Sequence, residues 1–512
     1  MSDLTKTSVD SVTPKINWAR IDEADNFANT VKLYRQGKYD EDSFRRFRLQ
    51  HGAYGTRMTS DYAMVRVKLP AGEIYPKQFE KLSQLSEQYS IGSAHFSTRE
   101  NIQLHWVILE DVSEIFRSLA EVGLTSREAC GNSVRNVMCS PLSGVCSDEK
   151  FDSTPYALAT ARFFLRNPMA QSLPRKFKFN FTCCEKHGMV RMVDVGLIPE
   201  IKQIDGSEQK GFKIFLGGGL GNKSFVGHQL EDFTPEEDLL YTSIAVVRIF
   251  DRLGDRKNLA RNRMRYLVNE MGWEKFQNLV LKERAIVRAT QSVVTQLDVD
   301  TTPDKIRRPL KISDESGSSV PDGYARWLKT NTMKQKQSDY NTVFLTLEAG
   351  DITSNQLNAL ANLIREFSSE GKARSGFVQN IALRYVHEDD LAKLYSKLLE
   401  TGLAKSGALT MTTPIGCSGT TSCNLALTNS HRLAKEIQRK FLELKLDEDD
   451  DLTDSSIKIS GCPNSCGQHP IATIGFFGGG GRFGKDMYPN YQMSLGGRFD
   501  GDTMLGQTCL RV

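Results

Sequence analysis

The sequence predicts an internally duplicated α/β (α+β) protein, and two observations carry this prediction. The first is that sliding the 512-residue chain along itself by about 279 positions aligns one segment after another. The second is that each copy reads as strand, helix, strand and helix, followed by a glycine-rich part. The matching segments are AGEI (71–74) and AGDI (349–352), NIQLHWV (101–107) and NIALRYV (380–386), EDVSEIFRSLAEVGL (110–124) and DDLAKLYSKLLETGL (389–403), DVGL (194–197) and TIGF (473–476), and FLGGG (215–219) and SLGGR (494–498).

The first part of each copy begins with an alternating strand, at 62–68 in copy one and at 341–347 in copy two. A glycine turn, an apolar-periodic helix, a second strand and a second helix follow. This β-α-β-α order is typical of a ferredoxin-like half or a similar α/β sandwich. We therefore expect two such halves.

The later part of each copy predicts short strands and glycine-rich turns, including GGGLG at 217–221 and GGGG at 478–481. Between the copies, residues 236–286 predict helices that carry several arginines. Residues 289–322 are rich in Asp, Ser, Thr and Pro and predict a linker.

The composition excludes several classes of protein. Hydrophobic residues make up 39% and charged residues 25%, which is typical of a folded core. No apolar run approaches the roughly 20 residues of a membrane helix, and acidic Asp3 and Asp10 argue against a targeting peptide. The net charge of +4 is too small to predict nucleic-acid binding. We expect a cytoplasmic protein with reduced thiols.

Residues 95–106 predict a strand with one polar face. Arg99 and Gln103 lie on that face, and Arg99 has Val378 as its counterpart in copy two. Six polar side chains in a row imply a polar cavity or a ligand, and a salt-bridged surface strand is the alternative. The polar residues are His95, Ser97, Arg99, Asn101, Gln103 and His105.

Four cations are candidates for binding a small anion. Lys176 and Lys178 alternate with phenylalanines, so both ammonium groups fall on one strand face, about 7 Å apart, where they repel each other without a counterion. Arg135 and Arg99 complete the set. Each cation alone is compatible with a solvated surface residue, whereas the four together indicate an anion pocket.

Copy two contains two close pairs of cysteines. Cys417 and Cys423 form C-x5-C, and Cys462 and Cys466 form C-x3-C in the turn GCPNSCG. Four thiolates from two loops match the ligands of a [4Fe–4S] cluster, and structural zinc, disulfides or unrelated thiols remain alternatives. The other six cysteines predict buried free thiols; they are Cys130, Cys139, Cys146, Cys183, Cys184 and Cys509.

These motifs together resemble the siroheme-containing sulfite and nitrite reductases. The resemblance rests on the C-x5-C and GCPNSCG pairs, STREN (97–101), GN-x2-RN (131–136) and LPRKFK (173–178), and covers roughly residues 42–512. It implies three domains with pseudo-twofold symmetry, in which the ferredoxin-like halves pair and two related siroheme-binding α/β domains flank them. The segments are an N-terminal extension (1–41), ferredoxin-like half one (42–125), siroheme-binding domain one (126–235), a helical connector and linker (236–325), ferredoxin-like half two (326–405), and the siroheme and [4Fe–4S] domain two (406–512).

The resemblance also implies roles for the candidate residues. Cys417, Cys423, Cys462 and Cys466 would hold the [4Fe–4S] cluster, and Cys466 would also be the axial ligand of siroheme. The catalytic residues would be Arg99, Arg135, Lys176 and Lys178. The residues expected to contact siroheme are Asn132, Gln103, Asn464, Arg261 and Arg263.

The implied reaction is the six-electron reduction of sulfite to sulfide, with nitrite reduction to ammonia as the alternative. The K-x-K of Lys176 and Lys178 favours sulfite, because nitrite reductases of the plant type tend to carry K-x-N. No G-x-G-x-x-G opens a helix after a strand, so we expect an external one-electron donor, ferredoxin or else a flavoprotein subunit. A monomeric assimilatory enzyme is the default expectation.

Two other classes of protein remain open at this point. A non-catalytic Fe–S sensor would leave the four cations without a use. A zinc-stabilised module that binds RNA would need exposed aromatic pairs and strong basic charge.

Overall fold

The computed structural model of the chain describes residues 13–57, 59–290, 297–307, 321–499 and 501–512. Within these ranges the chain forms alternating helices and strands that group into four β-sheets. No helix in the described ranges is long and apolar enough to cross a membrane.

The elements of copy one run from the N-terminus to the strand at 228. They are α1 Asp22–Arg35, α2 Glu41–Gln50, β1 Ala53–Gly55, β2 Tyr62–Lys68, β3 Glu73–Ile74, α3 Pro76–Tyr89, β4 Ser93–Phe96, β5 Asn101–Ile108, α4 Val112–Glu121, β6 Met138–Cys139, α5 Thr154–Phe164, β7 Phe179–Phe181, β8 Val195–Ile204, β9 Ser207–Leu216 and β10 His228–Gln229.

A short strand that pairs with β9 follows, and three helices then connect the copies, as the sequence predicts for residues 236–286. Copy two comes next. The elements are β11 Thr234–Pro235, α6 Leu239–Leu253, α7 Met264–Met271, α8 Trp273–Thr290, α9 Tyr324–Asn331, β12 Thr332–Lys334, β13 Tyr340–Thr346, β14 Asp351–Thr353, α10 Ser354–Phe367, β15 Ala373–Ser375, β16 Asn380–His387, α11 Leu391–Thr401, β17 Ile415–Gly416, α12 Ser430–Glu443, β18 Ile457–Ser460, β19 Ile474–Phe483, β20 Asp486–Leu495 and β21 Gln507–Arg511.

The duplication is confirmed element by element. β5 and β16 begin at Asn101 and Asn380, and β8 and β19 begin at Val195 and Ile474, so both pairs of strands are separated by the same offset that aligns the sequence with itself. Irregular backbone is duplicated as well, because Trp106 and its counterpart Tyr385 both have positive φ angles, 60° and 52°. The two copies therefore share one backbone design.

The ferredoxin-like halves form one body by exchanging a strand. The first sheet has the order β1-β2-β5-β4-β14 and the second has the order β12-β13-β16-β15-β3, so β14 and β3 each join the other copy's sheet. Helices α3 and α10 pack against each other. One hydrophobic core contains residues of both halves, for example Phe79 and Phe96 with Leu360 and Trp327.

The later parts of the two copies form two further sheets of matching topology. In copy one the order is β10-β9-β8-β7-β6, and in copy two it is β21-β20-β19-β18-β17. In each sheet the first two pairings along the chain are parallel and the next two are antiparallel. In each sheet the parallel strands end at the same edge. The loops after β6 and β7 therefore lie side by side in copy one, and the loops after β17 and β18 lie side by side in copy two.

The prediction of one continuous strand over residues 95–106 is wrong. The segment forms two antiparallel strands, β4 and β5, joined by a turn at 97–100 in which Glu100 has a φ of 50°. Ser97 Oγ accepts from the backbone N–H of Arg99 and donates to Asn101 Oδ1, which closes the turn. An alternating pattern continues through a tight turn, so the periodicity alone did not show the reversal.

The predicted linker at 289–322 falls partly outside the described residues. Residues 297–307 have no helix or strand, and α8 continues into the first residues of the segment. The predicted N-terminal extension contains α1, whose Phe27 is fully buried against Phe116 of α4.

Candidate functional site

Two loops at the ends of parallel strands bring the predicted ligand cysteines together. Cys417 follows β17, and Cys462 follows β18. The loops approach each other at two glycines, where a Cβ on Gly461 would lie 2.9 Å from the Cα of Gly419. The backbone N–H of Gly461 donates to Cys417 Sγ at 3.2 Å. Glycine is therefore required at this contact, which fixes one cysteine loop on the other.

The four sulfurs share one electrostatic environment, yet they lie farther apart than a single metal ion would hold them. Burial raises the pKa of Cys417 to about 12 and also raises those of Cys423 and Cys462, and the charge of Cys466 adds to each increase. No three of these sulfurs lie within 4.8 Å of one another, whereas thiolates on one tetrahedral zinc ion are about 3.8 Å apart. The four sulfurs are therefore not grouped around one zinc ion, and the thiolates of a [4Fe–4S] cluster bind different iron atoms.

The loop after β18 also contacts the turn between β4 and β5 of copy one. Thr98 Oγ1 donates to the backbone oxygen of Cys466 at 2.8 Å, and Gln468 Nε2 donates to the backbone oxygen of Thr98 at 3.2 Å. Arg99 is the next residue of the turn. Its pKa is lowered to about 10 by burial and by Arg263, while the charge of Cys466 opposes this decrease.

Lys176 and Lys178 lead into β7 with ammonium groups that lack an acidic partner. Phe177 between them is fully buried in the core, as the alternation predicts. Neither Nζ has a hydrogen bond or ion pair to any described residue. Burial lowers the pKa of Lys176 to about 7, with Arg263 adding to the decrease, and burial together with Arg99 lowers the pKa of Lys178 well below its ordinary value.

Arg263 is held in the same place by a buried carboxylate. Its Nη2 lies 3.0 Å from Oδ2 of Asp194, a residue with no exposed surface, and the same oxygen accepts from the backbone N–H of Lys178 at 3.0 Å. Asp194 thereby joins the connector to the strand that carries the lysines.

Several arginine N–H groups around this region are buried without a hydrogen-bond partner among the described residues. They are Arg66 Nε, Arg263 Nε and Arg265 Nη1. A buried charged donor without an acceptor is costly, and siroheme carries many carboxylates. The residues present therefore fit the group that the resemblance implies.

Arg135 is positioned by backbone carbonyls of its own loop. Its Nε and Nη2 donate to Gly131 O at 3.0 and 2.7 Å, and Nη1 donates to Ala129 O at 2.9 Å. Tyr54 Oη lies 3.4 Å from Nη1. The guanidinium is thus fixed, and its charge has no carboxylate partner among the described residues.

The remaining residues predicted to contact siroheme differ in how far they are buried. Gln103 is buried on β5, opposite Arg66 of β2. Asn464 is exposed, and its backbone N–H and side chain face Cys462 Sγ. Asn132 is exposed, and Arg261 lies at the surface, with Nη1 3.8 Å from Glu270. Gln103 thus lies beside Arg66 and Asn464 beside Cys462, whereas Asn132 and Arg261 are exposed.

Two buried cations near the site were missed by the sequence reasoning. Arg66 lies on the face of β2 that Gln103 shares, with its guanidinium 4.8 Å from the centre of the Tyr54 ring. Lys458 of β18 is fully buried, donates to Gln468 Oε1 at 3.1 Å and has a pKa lowered to about 7 by burial and by Arg99. A lysine inside the apolar strand 457–460 was a signal that could have identified it.

The prediction for the other six cysteines holds for five and is wrong for the sixth. Cys130, Cys139, Cys146, Cys183 and Cys184 are buried free thiols. Cys509 is exposed, because β21 is an edge strand with all five of its residues at the surface.

Comparison with family models places the chain among known reductase domains. The nitrite/sulfite reductase ferredoxin-like half domain matches residues 55–122 and 333–401, once in each copy. The nitrite and sulphite reductase 4Fe-4S domain matches residues 130–287 of copy one. The four predicted ligand cysteines lie in the duplicated counterpart of that domain, outside the matched range.

The chain is similar to curated proteins named as sulfite reductases and to others named as nitrite reductases. The chain is 27% identical to sulfite reductase [ferredoxin] 1 of Mycolicibacterium paratuberculosis, over 82% of this chain and 71% of that protein. It is 27% identical to the assimilatory ferredoxin-dependent nitrite reductase of Haloferax mediterranei, over 85% and 74% of the two chains. It is 28% identical to the chloroplastic ferredoxin–nitrite reductase of Arabidopsis thaliana, over 87% and 72%.

A solved structure has the same fold. The NirA protein of Mycobacterium tuberculosis superposes with a TM-score of 0.78, at 24% identity, and covers 96% of this chain and 88% of its own. The paired ferredoxin-like halves and the two flanking sheets therefore form the same overall fold as the NirA protein.

Proposed function

Because the chain belongs to the nitrite and sulfite reductases, an oxidoreductase family with siroheme and a [4Fe–4S] cluster, we propose that it reduces sulfite to sulfide by six electrons. Nitrite reduction to ammonia is the second candidate, because relatives with either name match it equally well.

The observation that carries the proposal is the meeting of two loops from different copies. Thr98 of copy one hydrogen-bonds to Cys466 of copy two at 2.8 Å. A cysteine loop and a set of cations that lie far apart in the sequence thereby share one site. An Fe–S sensor needs the first of these features but has no use for the second.

Cys417, Cys423, Cys462 and Cys466 would hold the cluster, and Cys466 would also bind siroheme. When bound, the two groups supply one-electron transfer and an iron centre for the anion. Arg66, Arg263 and Arg265 provide unpartnered N–H donors for siroheme carboxylates. Gln103 and Asn464 are the further proposed contacts.

The cations bind and orient the anion in this proposal. Arg135 is fixed by carbonyls and Arg99 by its turn, so both present their charge at little cost in conformational entropy. Lys176 and Lys178 have no acidic partner among the described residues, so an incoming anion is the counterion that they lack.

The lysines are also the proposed proton donors. Burial and neighbouring cations hold their pKa values low in the protein without substrate. A bound anion favours their charged forms, so a neutral lysine amine takes up a proton at Nζ and becomes an ammonium as substrate binds. That proton is then available to a departing oxygen.

Sulfite is the preferred substrate because of the charge that Lys178 adds. A further cation stabilises a dianion more than a monoanion, since the Coulomb energy scales with the product of the charges. Nitrite carries one negative charge and gains less from Lys178.

We propose that ferredoxin delivers electrons near Cys423. The adjacent Leu425 and Leu427 are 66% and 50% exposed, and large apolar side chains with that exposure suit a transient protein contact. Arg57 anchors this loop by donating to Ala426 O at 3.0 Å. Arg46 of α2 adds exposed positive charge, and the neighbouring Arg45 is exposed and paired with Asp42 at 3.0 Å.

An optical spectrum with metal analysis tests the cofactors. Purified holoprotein should show the visible bands of siroheme, and Cys466→Ser should abolish sulfite reduction and alter those bands. Cys509→Ser, at an exposed thiol, is the matched control and should retain both. If protein with its full iron content showed no siroheme bands, the proposed reductase activity would be refuted and a non-catalytic Fe–S sensor would remain.

Steady-state kinetics then separate the two substrates. The kcat/KM values for sulfite and nitrite are compared with viologen reduced electrochemically, because dithionite itself releases sulfite. A higher kcat/KM for sulfite is expected. A tenfold preference for nitrite would replace sulfite with the second candidate.

A further inference from the structure

Three of the cysteines assigned above as buried thiols form a compact group with a histidine in copy one. The Sγ atoms of Cys146, Cys183 and Cys184 and Nδ1 of His187 all lie within 4.8 Å of one another. Cys184 Sγ is 3.9 Å from the sulfurs of both other cysteines. Nδ1 of His187 is 3.6, 3.8 and 3.2 Å from the sulfurs of Cys146, Cys183 and Cys184.

These separations match a tetrahedron around one zinc ion. Zn–S bonds of about 2.3 Å place two thiolates about 3.8 Å apart, and a Zn–N bond of about 2.0 Å places sulfur and nitrogen about 3.5 Å apart. A disulfide would need sulfurs about 2.05 Å apart. Sulfurs 3.9 Å apart fit one shared metal ion, whereas the thiolates of a [4Fe–4S] cluster bind different iron atoms.

The group lies in a closed environment. All three cysteines are buried, and His187 is partly buried. Apolar residues of copy two surround it, including Phe344 and Ala382. A zinc site with four protein ligands and little solvent is structural, whereas a catalytic site keeps a position for water or substrate.

The duplication gives an independent reason for a metal at this place. The offset that carries β8 onto β19 also carries Cys183 onto Cys462 and His187 onto Cys466. The loop after β7 is thus the counterpart of the loop after β18. Copy one therefore places metal-ligating residue types where copy two places its predicted cluster ligands.

The contacts around both loops follow the same symmetry. In copy one, Val145 O accepts from the backbone N–H of Lys336 at 2.9 Å, and in copy two Ser422 O accepts from the backbone N–H of Arg57 at 3.0 Å. Lys336 is the counterpart of Arg57 at the same offset. Each metal-ligand loop is therefore docked against the ferredoxin-like half of the other copy.

We propose that Cys146, Cys183, Cys184 and His187 bind one Zn²⁺ ion, which joins the loops after β6 and β7 at the interface between the two copies. The site holds no substrate and is separate from the [4Fe–4S] ligands. Its role is to fix these two loops of copy one to each other, and the first of them docks against ferredoxin-like half two through Val145 and Lys336.

The other compact group of ligand-type residues does not suit a metal. Asp351 accepts from His95 at 3.0 Å and from His431 at 2.7 Å, and Lys435 Nζ lies 3.0 Å from the same carboxylate. The carboxylate is therefore neutralised by an ammonium group, and a cation there would be repelled.

Metal analysis of the holoenzyme tests the proposal. Protein expressed with zinc in the medium should contain about one zinc per chain in addition to its iron. Zinc absorption spectra should fit three Zn–S distances of about 2.3 Å and one Zn–N distance of about 2.0 Å. Zinc at background level, extra iron in its place or a shell without sulfur would overturn it.

Substitutions distinguish this site from adventitious zinc. Cys184→Ser should lower the zinc content at least fivefold, and Cys139→Ser, at a buried thiol of the same domain outside the group, should leave it unchanged. His187→Cys should keep the zinc and convert its shell to four sulfurs. This variant preserves a ligand, so it also decides the matter if Cys184→Ser does not fold: unchanged nitrogen in its spectrum would refute the assignment.

Discussion

Lys176 and Lys178 are the residues on which the chemistry of the proposed site depends most. Both are held beside other cations, and neither has an acidic partner among the residues that the structure describes. Asp194, the nearby buried acid, is already paired with Arg263. Both lysines are therefore left without a counterion until an anion binds, and each one can be tested separately.

Lys178→Asn should change the substrate preference. We expect kcat/KM for sulfite to fall about tenfold and that for nitrite about twofold, because the lost charge matters more to the dianion. Steady-state kinetics with both anions measure this, and Lys397→Asn, on the exposed face of α11, is the control. Equal losses for both anions would show that this position does not discriminate.

Lys176 should give the reaction a pH dependence near neutrality. Its pKa of about 7 lies below the ordinary value for lysine, so its charged fraction falls as the pH rises through 7. We expect KM for sulfite to rise between pH 6 and 9. In Lys176→Arg, whose charge persists, KM should lose most of this dependence while kcat falls, because arginine does not release a proton. A variant KM that still rises would assign the titration to another group.

At the scale of elements, the exchanged strands carry charge as well as backbone hydrogen bonds. Glu73 of β3 lies 2.7 Å from Lys372, which precedes β15, and 3.1 Å from Arg374 of β15. Lys372 and Arg374 are almost completely buried, with side chains 4% and 2% exposed. The contact between the two copies therefore depends on a buried ion-pair network.

Glu73→Ala should lower the free energy of unfolding by about 3 kcal/mol, because it leaves buried cations short of a counterion. Urea unfolding followed by circular dichroism measures the change. Glu121→Ala is the matched control, since its pair with Lys81 is exposed and should contribute less than about 1 kcal/mol. If both variants lost a similar free energy of unfolding, the buried ion pairs of Glu73 would contribute no more than an exposed pair.

At the scale of the whole molecule, the two copies share one backbone fold but carry different functional residues at equivalent positions. The turn after β4 carries Arg99 in copy one, whereas the corresponding position of copy two is Val378. The loop after β18 carries Cys462 and Cys466, whereas the loop after β7 carries Cys183 and His187. Function is thus divided between copies, and the proposed substrate site needs both.

Electron delivery should depend on ionic strength. If an acidic ferredoxin docks on the basic surface near Arg45 and Arg46, its kcat/KM should fall several-fold between low salt and about 0.3 M, because the Debye length shrinks below about 10 Å. Rates with a small viologen donor, measured on the same protein, should fall less. Ferredoxin rates that do not respond to salt would contradict electrostatic docking.

The sequence by itself determined the duplication, the order of strands and helices in each copy, and the residue types of both cysteine pairs and the four cations. These are local or periodic properties, and one chain displays them directly. The tertiary structure alone decided where the chain reverses at 97–100 and that β3 and β14 change sheets. It also decided that the buried cations Arg66 and Lys458 lie near Gln103 and Gln468. It also placed the side chains of Cys146, Cys183, Cys184 and His187 within 4.8 Å of one another. Such groupings depend on contacts between residues that are remote in the chain, which no local pattern records because packing, and not sequence spacing, sets their distances.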